Sequence, residues 1–247
     1  MIMDLSIFDL DKTITKRATS FTLAIGLVRR RVIPLTFFFK FIHKYLYNLF
    51  LNREMKKSDL NNIIEDSLSF LKGKDRAFFE KAVREVIEPK FDKLIYKKSL
   101  KLIEGERKKG RMLVLATAAP KELAEIFKDR LGFDFLLSTE LEMVENKYSG
   151  LLSQGFCHGK GKEKRVEKLI KEKGFKSIYI FSDSINDLPL FSLYRKGLGV
   201  NPDKKLRRWL KENGLEYKFM SKFARIRNYY LQSLLLLTTY YMAKFSL

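Results

Sequence analysis

"FDLDKTIT", residues 8–15, closes the apolar run Leu5, Ile7, Phe8 with two aspartates two apart and a threonine two further on. Such a run reads as a strand buried on both faces, and polar residues gathered at its carboxyl end read as a ligand site. Alternate residues around the strand end would present the carboxylates of Asp9 and Asp11 to one ligand. Alone, D-x-D-x-T also fits a turn or a helix cap.

The alternation continues along the chain. "RMLVLAT" (111–117), "FDFLLST" (133–139) and "SIYIFSD" (177–183) read as further buried strands. Between them, "PKELAEIFKDRL" (120–131) opens a helix with Pro in its first turn, and "GKEKRVEKLIKEKG" (161–174) closes one with Gly. "LEMVENKYSGLL" (141–152) reads as a β-hairpin around Glu-Asn. From about Lys16 to Asp92 only helical patterns occur: Ser20 to Arg30, Pro34 to Leu51, Ser58 to Leu71 and Asp75 to Ile87. The expected fold is α/β, a Rossmann-like parallel-sheet core over 1–15 and 93–220 with an inserted helical cap over 16–92. An apolar C-terminal helix is expected over 221–247.

At 247 residues, 49 Lys+Arg against 29 Asp+Glu leave a net charge of +20, which draws the protein to polyanions: phosphate esters, nucleic acid or anionic lipid. One cysteine, Cys157, excludes an internal disulfide framework and fits a reducing compartment. The first strand begins almost at Met1, so no secretory signal is expected and the reading is cytoplasmic, with the inner face of the cell membrane as a place of contact.

Polar residues gather at three strand ends: Asp9, Asp11 and Thr13; Thr117; and Asp183, Ser184, Asn186 and Asp187. The lysine-rich helix start "GKGKEK" (159–164) adds a site for an anion, with Lys160, Lys162 and Lys164 all in reach. Close carboxylates repel unless a hard cation holds them, and oxygen ligands suit Mg²⁺. With a hydroxyl and a lysine, the set suits phosphoryl transfer. "GKGK" is no nucleotide-binding P-loop, because Phe156 stands where that motif needs Gly and Glu163 where it needs a hydroxyl. Cys157 beside His158 has no oxyanion arrangement and reads as structural, and His43 reads as a surface or packing residue.

In order and spacing, "FDLDKT" (8–13), "LATAAP" (115–120), "CHGKGK" (157–162), "FSDSINDLPL" (181–190) and "VNPDKKLRRW" (200–209) resemble the haloacid dehalogenase superfamily of aspartate-nucleophile phosphatases, in the branch similar to phosphoserine phosphatase. The resemblance implies that Asp9 is the nucleophile and Asp11 the general acid and base. It implies that Thr13, Thr117, Ala118, Lys162 and Asn186 hold the phosphate. Mg²⁺ would lie between the Asp9 carboxylate, the Asp11 main-chain carbonyl and Asp183, with Asp187 close behind.

Phosphoserine phosphatases place a glutamate shortly after the first motif for the substrate's amino group, yet no acidic residue occurs here between Asp11 and Glu54. Instead, Phe37 to Phe50 form an aromatic stretch between Arg29 to Arg31 and Lys56 to Lys57, and an apolar stretch runs from Tyr229 to Leu247. Both fit an interfacial helix, the first also ordinary core packing and the second an oligomer contact. The layout is similar to that of the branch's phosphatidylglycerophosphate phosphatases, which implies a phospholipid substrate and a peripheral membrane contact. The alternatives are a soluble small-metabolite phosphatase and a basic nucleic-acid-binding protein with a degenerate site. No nucleic-acid motif supports the last, so no specific nucleic acid is expected as a partner.

Overall fold

Each buried run of the sequence becomes a strand of one sheet. The computed structural model describes residues 3–34, 65–222 and 224. Its strands are β1 (Leu5–Phe8), β2 (Met112–Pro120), β3 (Phe135–Thr139), β4 (Leu141–Val144), β5 (Lys147–Leu152), β6 (Ile178–Ser182), β7 (Gly197–Val200) and β8 (Glu216–Lys218). Its helices are α1 (Thr19–Arg29), α2 (Arg76–Ile87), α3 (Phe91–Leu94), α4 (Lys97–Lys108), α5 (Lys121–Leu131), α6 (Lys160–Lys173), α7 (Leu188–Tyr194) and α8 (Lys204–Glu212). Six strands pair in parallel in the order β3-β2-β1-β6-β7-β8, and β4 and β5 form a separate antiparallel pair. The connections leave β1 toward β2 and β3, then return past it to β6, β7 and β8. The order therefore reverses between β1 and β6, where open α/β sheets bind their ligands.

Period-2 alternation divides the core between the sheet's two faces. Phe8, Leu113, Leu115, Phe181 and Leu198 belong to a cluster with Leu23 and Leu27 of α1, Phe79 and Val83 of α2, and Leu123 and Phe127 of α5. Leu5, Ile7, Val114, Ala116 and Ile180 join Val166 of α6, Phe191 of α7 and Leu206 and Leu210 of α8. The rings of Phe8 and Phe181 stack with centroids 4.3 Å apart, locking β1 to β6 beneath the switch point.

The helix ends follow local chemistry. Asp75 and Asp203 cap α2 and α8, accepting from the N–H groups of Phe78 and Leu206 at 2.7 and 2.8 Å. Gly132 and Gly174 close α5 and α6 in the left-handed conformation. The expected hairpin forms, and Glu145 and Asn146 at its turn both take positive φ, the signature of a type I′ turn. α1 and α2 match two of the four expected helical patterns, and 65–71 supply the end of a third. The Pro34 to Leu51 pattern, with His43, and the apolar stretch 229–247 lie outside the described residues. Among the described residues no helix is long and apolar enough to cross a membrane.

β7 and β8 are not legible in the sequence. "GLGV" lacks the apolar weight of a strand, but its glycines are what the packing needs. A Cβ on Gly197, whose φ is +135°, would lie 1.9 Å from the Ile180 carbonyl oxygen. β8 is three residues long with two exposed charged side chains, as suits a sheet edge.

Candidate active site

At the carboxyl end of β1, Asp9 still belongs to the ladder, its N–H donating to the Phe181 carbonyl at 2.9 Å. The chain then leaves the strand in a helical turn, with the N–H groups of Ile14 and Thr15 donating to Leu10 at 2.9 and 3.0 Å. Asp11 thus sits in a turn, and strand alternation is not what sets its direction. Lys12 takes φ +60°, unusual for a side chain without special hydrogen bonding. Its carbonyl accepts from Asn201 Nδ2 at 2.6 Å, while Asn201 Oδ1 accepts from the Met220 N–H at 2.7 Å. The Asp9–Thr13 turn is therefore fastened to the carboxyl end of β7, two strands away, by a buried asparagine.

Lys162 is 3% exposed, and its ammonium donates to Asp9 Oδ1 at 2.8 Å and Asp187 Oδ2 at 2.9 Å. Ser182 Oγ donates to the same Asp187 oxygen at 2.6 Å. Of the three lysines in reach by sequence, Lys160 and Lys164 are exposed, so the structure brings Lys162 alone to the aspartates. α6 carries it there because Gly161 passes Phe156 closely: a Cβ would lie 2.3 Å from the Phe156 carbonyl oxygen.

Asp11 is held differently. Its Oδ1 accepts from both the N–H and the Oγ1 of Thr19 at 2.7 Å, at the start of α1. Those bonds load one oxygen and leave Oδ2 to carry a proton. Burial pushes the Asp11 carboxyl above its ordinary value against the pull of the Thr19 donors. Burial also pushes Asp9 up, opposed by Lys162 and reinforced by Asp187. Asp183, just past β6, is raised by burial and then by Asp9. The two buried carboxylates repel across the switch point.

Thr117 and Ala118 lie where β2 slips out of register between Ala116 and Pro120. This irregularity lifts their backbone off the ladder beside the aspartates. Thr117 Oγ1 accepts from the Ala119 N–H at 3.2 Å, and the Ala118 carbonyl accepts from Thr139 Oγ1 at 2.8 Å. Thr13 Oγ1 is buried without a hydrogen-bond partner. Asn186 is exposed on the turn after β6. That turn is tied down by Asp203, whose Oδ2 accepts from the Ile185 N–H at 2.7 Å and whose own N–H donates to the Asp183 carbonyl at 2.7 Å.

Thr19 is missing from the sequence reading, and Asn201 and Asp203, though inside "VNPDKKLRRW", are given no role by it. Asp203 has a legible signal as the helix cap in "NPDKK"; the partners of Thr19 and Asn201 have none, because they lie eight and 189 residues away. Cys157 is fully buried and burial pushes its thiol up to about 11, which suits a structural thiol.

A family model described as haloacid dehalogenase-like hydrolase matches residues 7–192, three quarters of the chain. The chain belongs to the haloacid dehalogenase-like hydrolases. Within that family this hydrolase is 28% identical over 227 residues to phosphoserine phosphatase SerB1 of Mycobacterium tuberculosis, covering 89% of this chain and 72% of that one. It is 24% identical over 208 residues to an inhibition of morphological differentiation protein of Streptomyces azureus, covering 81% of this chain and 73% of that one. In fold, the hydrolase resembles a Bordetella pertussis protein of unknown function, with a TM-score of 0.79 at 20% identity over 90% of this chain and all of that one. A phosphoserine phosphatase solved with a phospho-aspartyl intermediate analogue gives a TM-score of 0.57 at 18% identity over 93% and 99% of the two chains.

Proposed function

We propose that this hydrolase cleaves phosphate monoesters through an aspartyl-phosphate on Asp9. The observation that carries the reading is the buried Lys162 ammonium bonded to both Asp9 and Asp187 at the switch point, a fixed cation where phosphoryl oxygens would sit. The Asp9 carboxylate attacks phosphorus while the bond to the leaving oxygen breaks and Asp11 Oδ2 gives that oxygen its proton. Asp11, now ionised, takes a proton from water, and the water oxygen displaces Asp9 and releases inorganic phosphate. Lys162, Thr117, Thr13, Asn186 and the lifted Ala118 backbone hold the phosphoryl oxygens.

The donor set fits Mg²⁺. Burial raises the pKa of both Asp9 and Asp183, and the Asp9 charge raises Asp183 further, so the Lys162 ammonium on Asp9 leaves negative charge at the switch point for a cation to meet. Among the described residues no three carboxylate, imidazole or thiol side chains converge as a metal cage. Mg²⁺ needs no such cage: two carboxylates and the Asp11 carbonyl leave places for water and one phosphoryl oxygen. Asp9, Asp183 and the Asp11 carbonyl would hold Mg²⁺, which would neutralise the two carboxylates and polarise the phosphoryl group; Asp187, bonded to Lys162 and Ser182, would add negative charge nearby.

For the leaving group, the absence of any acid between Asp11 and Glu54 leaves a substrate ammonium without a carboxylate partner in that stretch. The basic and aromatic sequence after α1, which we assign to a cap over the site, favours a phospholipid met at a membrane surface. The relative named phosphoserine phosphatase favours a small soluble ester instead. Phosphate release with Mg²⁺ by the wild type and Asp9→Asn decides both questions, on phosphatidylglycerophosphate and phosphatidic acid in detergent micelles beside phosphoserine and an aryl phosphate. No Asp9-dependent release from any ester would overturn the reaction; release from soluble esters alone would overturn the lipid leaving group.

A further inference from the structure

Thr139 ends β3, a strand that supplies none of the site residues named above, yet it is buried and its hydroxyl is bonded on both sides. The hydroxyl donates to the Ala118 carbonyl at 2.8 Å and accepts from the Cys157 N–H at 3.2 Å. A hydroxyl has one hydrogen to give. With the Cys157 N–H on the acceptor side, that hydrogen is committed to Ala118.

The slip in β2 is what calls for this bond. From Ala116 to Pro120 that strand advances four residues while β3 advances two, from Leu137 to Thr139. The Ala118 carbonyl leaves the ladder there, and the Thr139 side chain stands in for a backbone donor. The Ala118 carbonyl and the Ala119 N–H belong to one planar trans unit and point opposite ways. Holding the carbonyl on β3 therefore turns the N–H the other way, where it donates to Thr117 Oγ1 at 3.2 Å. A donor on that oxygen occupies a lone pair and leaves the hydroxyl's own hydrogen to be given away.

We propose that Thr139 is a positioning residue: through the Ala118–Ala119 peptide, its buried hydroxyl sets the Thr117 hydroxyl as a hydrogen-bond donor to the transferring phosphoryl group. The inference rests on the phosphatase reading of the site. The groups form a chain with one direction, from the Cys157 N–H to Thr139, from Thr139 to Ala118, from Ala119 to Thr117 and from Thr117 to phosphate. Each donor in such a chain polarises the next. Its first link is itself fixed, because the Gly161 N–H donates to the His158 carbonyl at 2.9 Å and closes the turn between Cys157 and α6.

Two measurements test this. Thr139→Val keeps the branched shape and loses the hydroxyl, whereas Thr139→Ser keeps the hydroxyl. In amide hydrogen exchange followed by NMR, the Cys157 and Ala119 N–H groups should exchange about tenfold faster or more in Thr139→Val and return toward wild type in Thr139→Ser. Unchanged exchange at Ala119 would overturn the link to Thr117, whether or not the protein is a phosphatase. On an aryl phosphate with Mg²⁺, Thr139→Val should lower kcat/KM about 5–30-fold, the worth of one to two hydrogen bonds, and Thr139→Ser should recover most of that loss. In a Thr117→Val background, which removes the end of the chain, Thr139→Val should cost no more than about 2-fold further. Losses that multiply, or full activity in Thr139→Val, would overturn the positioning role. Should Thr139→Val fail to fold, Thr139→Ala removes the same hydroxyl and carries both measurements. Absence of Asp9-dependent release in the wild type would instead sink the phosphatase reading, and amide exchange would still decide the Thr139 contacts.

Discussion

Replacing Lys162 by Met removes a buried ammonium while keeping most of the stem's bulk. Both carboxylates it serves then remain, with Asp187 only 4% exposed, and neither gains a described partner of positive charge in its place. Breaking a buried ion pair from one side typically costs about 3–5 kcal/mol, because the stranded charge is not rehydrated. For a chain of this size that corresponds to a fall in Tm of roughly 6–20 °C. Burial pulls the Lys162 pKa down, but Asp187 and Asp9 outweigh it and the net shift is upward from 10.5. The ammonium's contribution is therefore fully present below pH 10.5 and lost only as pH climbs through the higher folded-state value. The assay is urea unfolding at pH 7.5 in chelator, on the wild type, Lys162→Met, Asp187→Asn and the double variant. Removing the second anion should return at least half of the lost stability, so the double variant should be more stable than Lys162→Met. A Lys162→Met protein as stable as the wild type in chelator would refute the reasoning, as would strictly additive losses in the double variant.

Three further outcomes follow from the same geometry. Asn201→Ala frees the Lys12 carbonyl and the Met220 N–H, so urea unfolding should show a loss of about 1–3 kcal/mol, with a larger proportional fall in kcat/KM than its partners' distance from the phosphate would suggest. Gly197→Ala drives a methyl into the Ile180 carbonyl at a φ of +135°, and soluble yield and thermal melting should report a cost of about 3 kcal/mol or more. Glu122 is buried with Tyr148 donating to its Oε1 at 2.7 Å and its Oε2 unpartnered, and burial raises its carboxyl above 4.5. A raised carboxyl pKa gives stability that is present below pH 4.5 and lost as pH rises through the folded value. Tm profiles against pH should thus show the wild type losing ground to Glu122→Gln from pH 4.5 upward, and parallel profiles would show that Glu122 ionises freely in the fold.

How much of this was legible beforehand depended on how locally each feature is encoded. β1, β2, β3 and β6 are continuous apolar runs, and two faces buried by helices require that pattern wherever it occurs. The Glu145–Asn146 turn and the glycine caps of α5 and α6 are decided by one or two residues' dihedral preferences, so they too read directly. β7 did not, because Gly197 and Gly199 are selected by close approach to Ile180 and Leu210, which a one-dimensional pattern does not contain. Charge alone narrowed the phosphate lysine to three and the family spacing chose Lys162; burial is what physically distinguishes it from Lys160 and Lys164. The direction of Asp11 was attributed to strand alternation, whereas the turn closed on Leu10 and the bonds from Thr19 determine it.

The residues to which the sequence assigned no part in the site share a physical role. A phosphoryl-transfer site must hold several like charges near one another without letting the loops that carry them relax apart, since separation is the cheapest escape from repulsion. Each carboxylate-bearing loop is accordingly fastened by a hydrogen-bonding side chain from another element. Thr19 of α1 fixes Asp11, Asn201 past β7 fixes the Lys12 turn, and Asp203 before α8 fixes the Asp183–Asp187 turn through Ile185. Hydrogen bonds at 2.6–2.7 Å resist that relaxation: Thr19 and Asn201 add no charge, and the Asp203 carboxylate is met by the Ile185 and Leu206 N–H groups. It follows that loosening any one fastening should lower activity through the neighbouring aspartate's position while leaving its chemistry intact, so an added excess of Mg²⁺, which restores the missing charge, should rescue such variants less than it rescues a lost ammonium.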